Sequence, residues 1–170
     1  MDTRLAITSR RDVRRYANRP IPPSTTTRIL DAGRLAGSAR NRQPLRFLVF
    51  DGPELRDRLA DLVYAPANIR GAALVVAIVG SGKGPVGFDC GRAAQNMMLA
   101  AWNEGIVSCP NSATDRERAA ALLGLGEDET VQIVLSFGYP AKPRDPELQS
   151  TEEWSAASNR KPLDEITRSL

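Results

Sequence analysis

Ala72-Ala73-Leu74-Val75-Val76-Ala77-Ile78-Val79-Gly80 is an unbroken apolar run, rich in β-branched residues, near the middle of a chain of 170 residues. That pattern fits a central strand covered on both faces. Elements can be read outward from it in both directions. Upstream, Pro22 and Pro23 precede Ser24, the expected N-cap of a helix running to about Ala36. Thr26, Ile29, Leu30, Gly33 and Ala36 would share its inner face. A polar loop, Gly37 to Pro44, leads to a short strand over Arg46–Asp51, and Leu55, Leu59 and Leu62 mark an amphipathic helix over 54–63. Downstream, Phe88 to Glu104 reads as a helix ending at Gly105, apolar nearly all round and so buried in a core or against a second subunit. Thr114-Asp115-Arg116-Glu117 has the spacing of a capping box that opens a helix to about Leu123. Thr130 to Phe137 alternates Val131, Ile133, Leu135 and Phe137 inward, as a half-buried strand does.

Length and composition fit one domain of 170 residues, with 42% apolar and 25% charged residues. No apolar run approaches the length of a membrane span, and Met1-Asp2-Thr3-Arg4-Leu5 lacks the apolar core of a signal peptide; a cytoplasmic protein is expected. Cys90 and Cys109 have neither metal-site spacing nor the pattern of a disulfide framework. The chain has no histidine. That removes Ser-His-Asp, Cys-His and histidine-ligated metal chemistry together, and leaves a bound organic cofactor as the carrier of any redox or transfer reaction. The glycine-containing loop Ser81-Gly82-Lys83-Gly84-Pro85 is not a phosphate-binding loop: Gly84 follows Lys83 where Ser or Thr is required, and Ala77 stands at the first glycine.

Ser9-Arg10-Arg11-Asp12-Val13-Arg14-Arg15-Tyr16 places four arginines in six positions, with Val13 and Tyr16 able to pin the segment to a core. Three readings are open for it alone: a solvated basic face, a nucleic-acid arm, or a site for a small phosphorylated ligand. A dispersed net charge of +3 leaves little electrostatic footprint for nucleic acid. Beyond Pro140 the sequence turns polar, with Pro143 and Pro146, and Pro162 to Leu170 can form a last short helix.

Four pieces in this order resemble the flavin-dependent nitroreductase family: the arginine segment, Leu35 to Pro44, Asp89 to Ala101 leading into Gly105, and Phe137-Gly138-Tyr139-Pro140 with Asn159-Arg160-Lys161-Pro162-Leu163 downstream. The resemblance covers nearly the whole chain. It implies an α+β fold with a mainly antiparallel sheet flanked by helices, and an intertwined homodimer with FMN at the subunit interface. The chain would then be one domain, 1–170, with residues 141–170 as an extension along the partner subunit. Arg10, Arg11 and Arg14 match positions that hold the FMN phosphate and ribityl end, and Arg160 matches an arginine that closes on the phosphate. Ser38, Ala39, Asn41 and Gln43 match the loop that reaches the flavin from the other subunit. Pro110, Asn111, Ser112 and Ala113 match a loop whose backbone N–H groups approach flavin N5.

The sequence also departs from the family pattern. Asp12 replaces a common serine and is expected to pair with a neighbouring arginine and orient it. Leu45 replaces a tryptophan, and Ser158 a second basic residue of the tail. Asn68 and Arg70 could supply a cation near the N1–C2 carbonyl edge of the flavin, and the short segment before residue 72 leaves hardly any lid. The implied activity is an NAD(P)H-dependent oxidoreductase with ping-pong kinetics and a nitroaromatic, quinone or similar small acceptor. A deazaflavin-dependent reductase, a dehalogenase, a flavin-fragmenting enzyme and a non-catalytic flavin carrier or sensor remain as alternatives.

Overall fold

The computed structural model describes residues 1–170. Its centre is an antiparallel sheet in the order β1-β2-β4-β3, formed by β1 (Leu45–Val49), β2 (Leu74–Ser81), β3 (Val107–Asn111) and β4 (Glu129–Gly138). Strand β2 lies between β1 and β4, and Leu74 to Gly80 are all buried. The apolar run is therefore the doubly covered strand that its composition implies.

Its two faces feed two cores. Leu74, Val76 and Ile78 meet Ile29 of α2 (Pro23–Arg34) and Cys90, Ala93, Met97 and Ala101 of α5 (Val86–Asn103). Val75 and Ala77 meet Leu59 of α3 (Pro53–Ala60), Ile69 of α4 (Pro66–Arg70) and Ala119 of α6 (Arg116–Leu122). The fold is α+β, with helices on both faces of an antiparallel sheet. No helix is long and apolar enough to cross a membrane.

Several local expectations change. Helix α2 starts one residue early, with Pro23 at its first position and no side-chain cap, so Ser24 is not the N-cap and the buried face is Thr25, Ile29 and Gly33. Helix α6 is capped by Asp115, whose carboxylate accepts from Arg118 N–H at 2.9 Å. Thr114 lies one residue before the cap, with its own N–H held by Leu62 O at 2.8 Å in a short bridge between the two segments. The inward alternation of β4 fails at one point. Ile133 pairs with Ile78 but Val131 pairs with Val79, so Gln132 is an extra residue that turns Val131 to the opposite core from Leu135 and Phe137. Gly105 follows α5 with φ 71°, the left-handed conformation that ends a helix, as the sequence implies.

Helix α5 is buried on one side only. Asp89, Cys90, Ala93, Ala94, Met97, Met98, Ala101 and Trp102 face the chain's own core, while Phe88 is 68% exposed on the other side. Three elements carry no signal strong enough to read: α1 (Thr3–Ser9), α4 and the strand β3. The tail also folds in part. Helix α7 (Thr151–Ala156), opened by a Ser150–Glu153 capping box, packs on α1 of its own chain. Residues 146–156 are thus fastened to their own domain. Residues 159–170, including α8 (Leu163–Ile166), are exposed.

The crossing of α2 over α5 depends on Gly33. A Cβ there would stand 2.9 Å from Met97 Cγ, a contact that a flexible methionine can relieve for one methyl group but not for a branched side chain. Gly33→Ala is expected to fold with a small loss and Gly33→Val to lose about 1–3 kcal/mol, as overpacked cores do; denaturant unfolding of both variants checks this.

Candidate functional site

The arginine segment leaves the C-terminus of α1 in extended conformation and lies along the outer edge of the sheet. Val13 N–H donates to Ser108 O at 3.0 Å, Ala17 N–H to Tyr139 O at 2.8 Å, and Ala141 N–H to Arg15 O at 3.1 Å. Tyr16 fixes its end: the ring lies against Gly138, where a Cβ would come within 2.8 Å of it, and the hydroxyl shares a 2.8 Å hydrogen bond with Ser136 Oγ. Val13 and Tyr16 do pin the segment. The charges it carries have different partners. Arg10 Nη1 donates to Asp12 Oδ1 at 2.8 Å, so the carboxylate is neutralised by its neighbour. Arg14 is exposed, forms no ion pair and stands against the Cys109 sulfur. Arg11 is turned the other way, onto the carbonyls of Thr8, Arg10 and Trp154.

Under this segment lies a buried polar network. Asn111 Nδ2 donates to Cys109 O at 2.8 Å and to Ser136 Oγ at 3.0 Å, and Asn111 Oδ1 accepts from Asn68 Nδ2 at 2.8 Å. Asn68, Asn111 and Ser136 are all buried, and Asn68 Nδ2, both polar atoms of the Asn111 amide and the Ser136 hydroxyl are hydrogen-bonded. Pro110 and Asn111 belong to β3, and only Ser112 and Ala113 form the loop after it. The N–H groups of Ser112 and Ala113 donate to nothing in the chain, while Ser112 O and Leu62 O hold the backbone on either side of them. The loop therefore presents two fixed, unpaired donors about 14 Å along β3 from the arginine segment, at four residues of strand rise. Asn68 is directed into the network. Arg70 pairs at the surface with Asp57 at 3.4 Å and Asp61 at 2.5 Å.

The second group of expected residues is at the far corner. Arg40, Asn41 and Gln43 all have φ between 51° and 54°, a left-handed conformation costly for non-glycine residues. Buried Asp89 accepts from Ala39 N–H at 3.4 Å, Ser38 Oγ accepts from Gln43 N–H at 2.8 Å, and Arg42 reaches Ala39 O and Lys83 O. Ser38 and Ala39 are thus braces of the loop. The amides of Asn41 and Gln43 are exposed and unbound, beside a cavity of about 410 Å³ lined by α2 and the start of β1. The loop enters β1 at Leu45, level with Gly80, whereas the arginines are level with Leu74 beyond the other edge. Six residues along and four strand spacings across give a separation of about 28 Å. One chain does not bring the two groups together. Arg160 is exposed and unpaired in the tail.

Residues 7–83 and 87–139 match the model of the nitroreductase family. The chain belongs to this family. A relative from Methanothermobacter thermautotrophicus, provisionally named NADH dehydrogenase/NAD(P)H nitroreductase, is 30% identical over 169 residues, covering 91% of this chain and 88% of its own. Among solved structures, a nitroreductase family protein from Clostridium difficile 630 superposes with a TM-score of 0.84 at 25% identity, over 99% of this chain and 98% of that one. A nitroreductase, also provisionally named, from Desulfovibrio desulfuricans, solved in complex with FMN, gives 0.81 at 28% identity, over 100% and 98%. The chain therefore has the family's fold, with its free donors and its exposed amides on opposite edges of one sheet.

Three buried acids of the chain are held neutral. Burial is the main force raising the Cys109 thiol, with Arg14 opposing it, and burial lifts Cys90 to about 11. The Tyr16 phenol is pushed up to about 12, chiefly by burial, against a partial opposing effect of its bond to Ser136. A raised pKa on an acid means that the folded state favours its neutral form, so the associated stability is complete below pH 10 and is lost as pH rises towards 12. The difference in unfolding free energy between wild type and Tyr16→Phe is expected to be constant below pH 10 and to shrink above it, as read by urea unfolding across that range.

Proposed function

We propose that this protein is an FMN-dependent oxidoreductase that takes reducing equivalents from NAD(P)H and passes them to a small acceptor such as a quinone or nitroaromatic. The observation that carries the reading is the pair of unpaired N–H groups at Ser112 and Ala113, set about 14 Å along one strand from the arginine segment. A phosphate needs cations and a flavin ring needs N–H donors, and this spacing suits a ligand with the two at opposite ends. The donor set fits FMN. Arg14 and Arg160 are free to bind the phosphate, and Arg10 cancels the repulsion that Asp12 would otherwise exert.

The chemistry such a flavin supplies is hydride transfer at N5, from NAD(P)H in one half-reaction and to the acceptor in the other. The protein's part is electrostatic. Ser112 and Ala113 N–H would hold charge that develops on reduction, with no reorganisation because the bridges to Leu62 and Tyr64 already fix them. Asn41 and Gln43 would complete the site from a second subunit, since about 28 Å separates their loop from the arginines of their own chain. The exposed face of α5 with Phe88, and exposed Leu35, supply apolar surface for such a dimer.

The purified protein is expected to be yellow and dimeric, to release FMN on denaturation, to bleach anaerobically with NADH or NADPH, and to recover its colour with a quinone. A protein that neither holds nor takes up FMN overturns the reading; one that holds FMN but is bleached by neither nucleotide overturns the enzymatic part of it. Arg14→Ala should weaken FMN about tenfold to a hundredfold, the range for one hydrogen bond to a charged group, and leave riboflavin affinity unchanged. Flavin fluorescence titrations of the two ligands separate these outcomes.

A further inference from the structure

Arg11 is the one arginine of the N-terminal segment whose guanidinium is bound to the C-terminal tail. Its Nη1 donates to Thr8 O at 2.6 Å and to Arg10 O at 3.0 Å, and its Nη2 donates to Trp154 O at 2.8 Å. The same guanidinium lies 5.4 Å from the centre of the Trp154 ring. Trp154 is in turn fixed from its other side, where Nε1 donates to Pro146 O at 2.8 Å. The only ion pair between α1 and α7, Arg4 with Glu152, is well exposed on both partners, and exposed pairs contribute little. Holding α7 in place therefore rests on Arg11 and on the indole beneath it.

What α7 holds in place is the root of the segment that carries Arg160. Four residues separate Ala156, the last of α7, from Arg160, so Arg160 Cα can lie no further than about 14 Å from the helix end. With α7 docked, Arg160 searches a small volume whose origin is beside α1 and Arg10. With α7 released, the leash starts near Ala141, where the chain leaves Arg15, and Arg160 searches a far larger one.

The geometry points to Arg11 as a positioning residue: it fastens α7 to the N-terminal segment, and so sets where Arg160 stands, instead of binding phosphate itself. The inference rests on the FMN reading given above for the role of Arg160, but the tether is testable without flavin.

The test uses the full chain, stripped of flavin, as wild type, Arg11→Ala, Arg11→Lys, Arg160→Ala and the Arg11→Ala/Arg160→Ala double variant. Hydrogen exchange of the α7 amides is read first, in the absence of flavin. Both Arg11 variants should exchange about tenfold faster than wild type, because lysine can neither bridge three carbonyls nor stack as guanidinium does. Titration with FMN and with riboflavin follows. Arg11→Ala and Arg11→Lys should each weaken FMN about as much as Arg160→Ala does, roughly tenfold, and leave riboflavin unchanged. The double variant should bind FMN no worse than Arg160→Ala alone, since an indirect effect disappears once its target is gone.

Losses that multiply in the double variant, or FMN affinity restored by Arg11→Lys, would show Arg11 acting on the phosphate directly and overturn the assignment. Unchanged α7 exchange in the Arg11 variants overturns it whatever the flavin does. Wild-type protein that takes up no FMN overturns the function proposed above; the exchange result alone then decides the tether.

Discussion

Strand β2 has no face in water, and the rest of the molecule is arranged around that fact. Seven consecutive residues, Leu74 to Gly80, are buried, so both faces of the sheet must carry helices. Helices α2 and α5 cover one side and α3, α4 and α6 the other. Once both faces are closed, a ligand can be met only at the edges and ends of the sheet. The two groups of polar residues that can meet one lie at opposite edges: the arginines and the Ser112–Ala113 donors at the β3 edge, the Asn41–Gln43 amides at the β1 edge. The distance between them is a consequence of the same burial that stabilises the domain.

Beyond β3 the edge is held by polar groups where apolar packing would be the usual solution. Asn68, Asn111 and Ser136 are buried side by side, and a partly satisfied version of this arrangement would be worse than none. Here each amide and hydroxyl has a partner, and those partners belong to different elements: Tyr16 from the arginine segment, Asn68 from α4, Ser136 from β4. The network therefore fixes the direction in which the chain leaves β3, which is what leaves Ser112 and Ala113 N–H unpaired and fixed. Cys109 is in the midst of it with its thiol raised by burial, and so acts as a packing group.

Composition and pattern carry most of the sheet and the long helix, because continuous apolar runs and a terminal glycine have few alternative placements. They carry much less of the site. Strand β3 is five residues long and contains Pro110, which in a sequence argues against a strand. Its position at the sheet edge removes the objection, since the missing donor would face outward. That pattern is the one signal that could have marked β3 and, with it, the network of Asn111. The left-handed conformations of Arg40, Asn41 and Gln43 had no such signal, because none is glycine and the conformation is imposed by braces from Asp89, Ser38 and Lys83, all distant or non-periodic. Asn68 and Arg70 stand in a segment too short to align, and their side chains find partners that only the fold brings near. The Thr114 capping box differs by one residue: the helix starts at Arg116, so Asp115 holds the cap, and Thr114 is drawn instead into a bridge with Leu62.

The arginine segment shows how a single reading of charge divides once geometry is known. Four arginines in six positions look like one cluster aimed at one anion. In the fold, each successive extended residue points to a different side, so equal side chains meet unequal surroundings. Arg10 is drawn to Asp12, Arg11 to the carbonyls of its own helix and of the tail, and Arg14 to the free edge beside Cys109. The aspartate that breaks the run is part of this division. It removes Arg10 from the pool of free charge while keeping its guanidinium in place, and it leaves Arg14 as the segment's unpaired cation nearest to β3. Had serine stood at position 12, Arg10 would be free of its only partner. The anion-binding capacity of the segment therefore depends less on how many arginines it contains than on Asp12, Trp154 and the tail, which decide where two of them point.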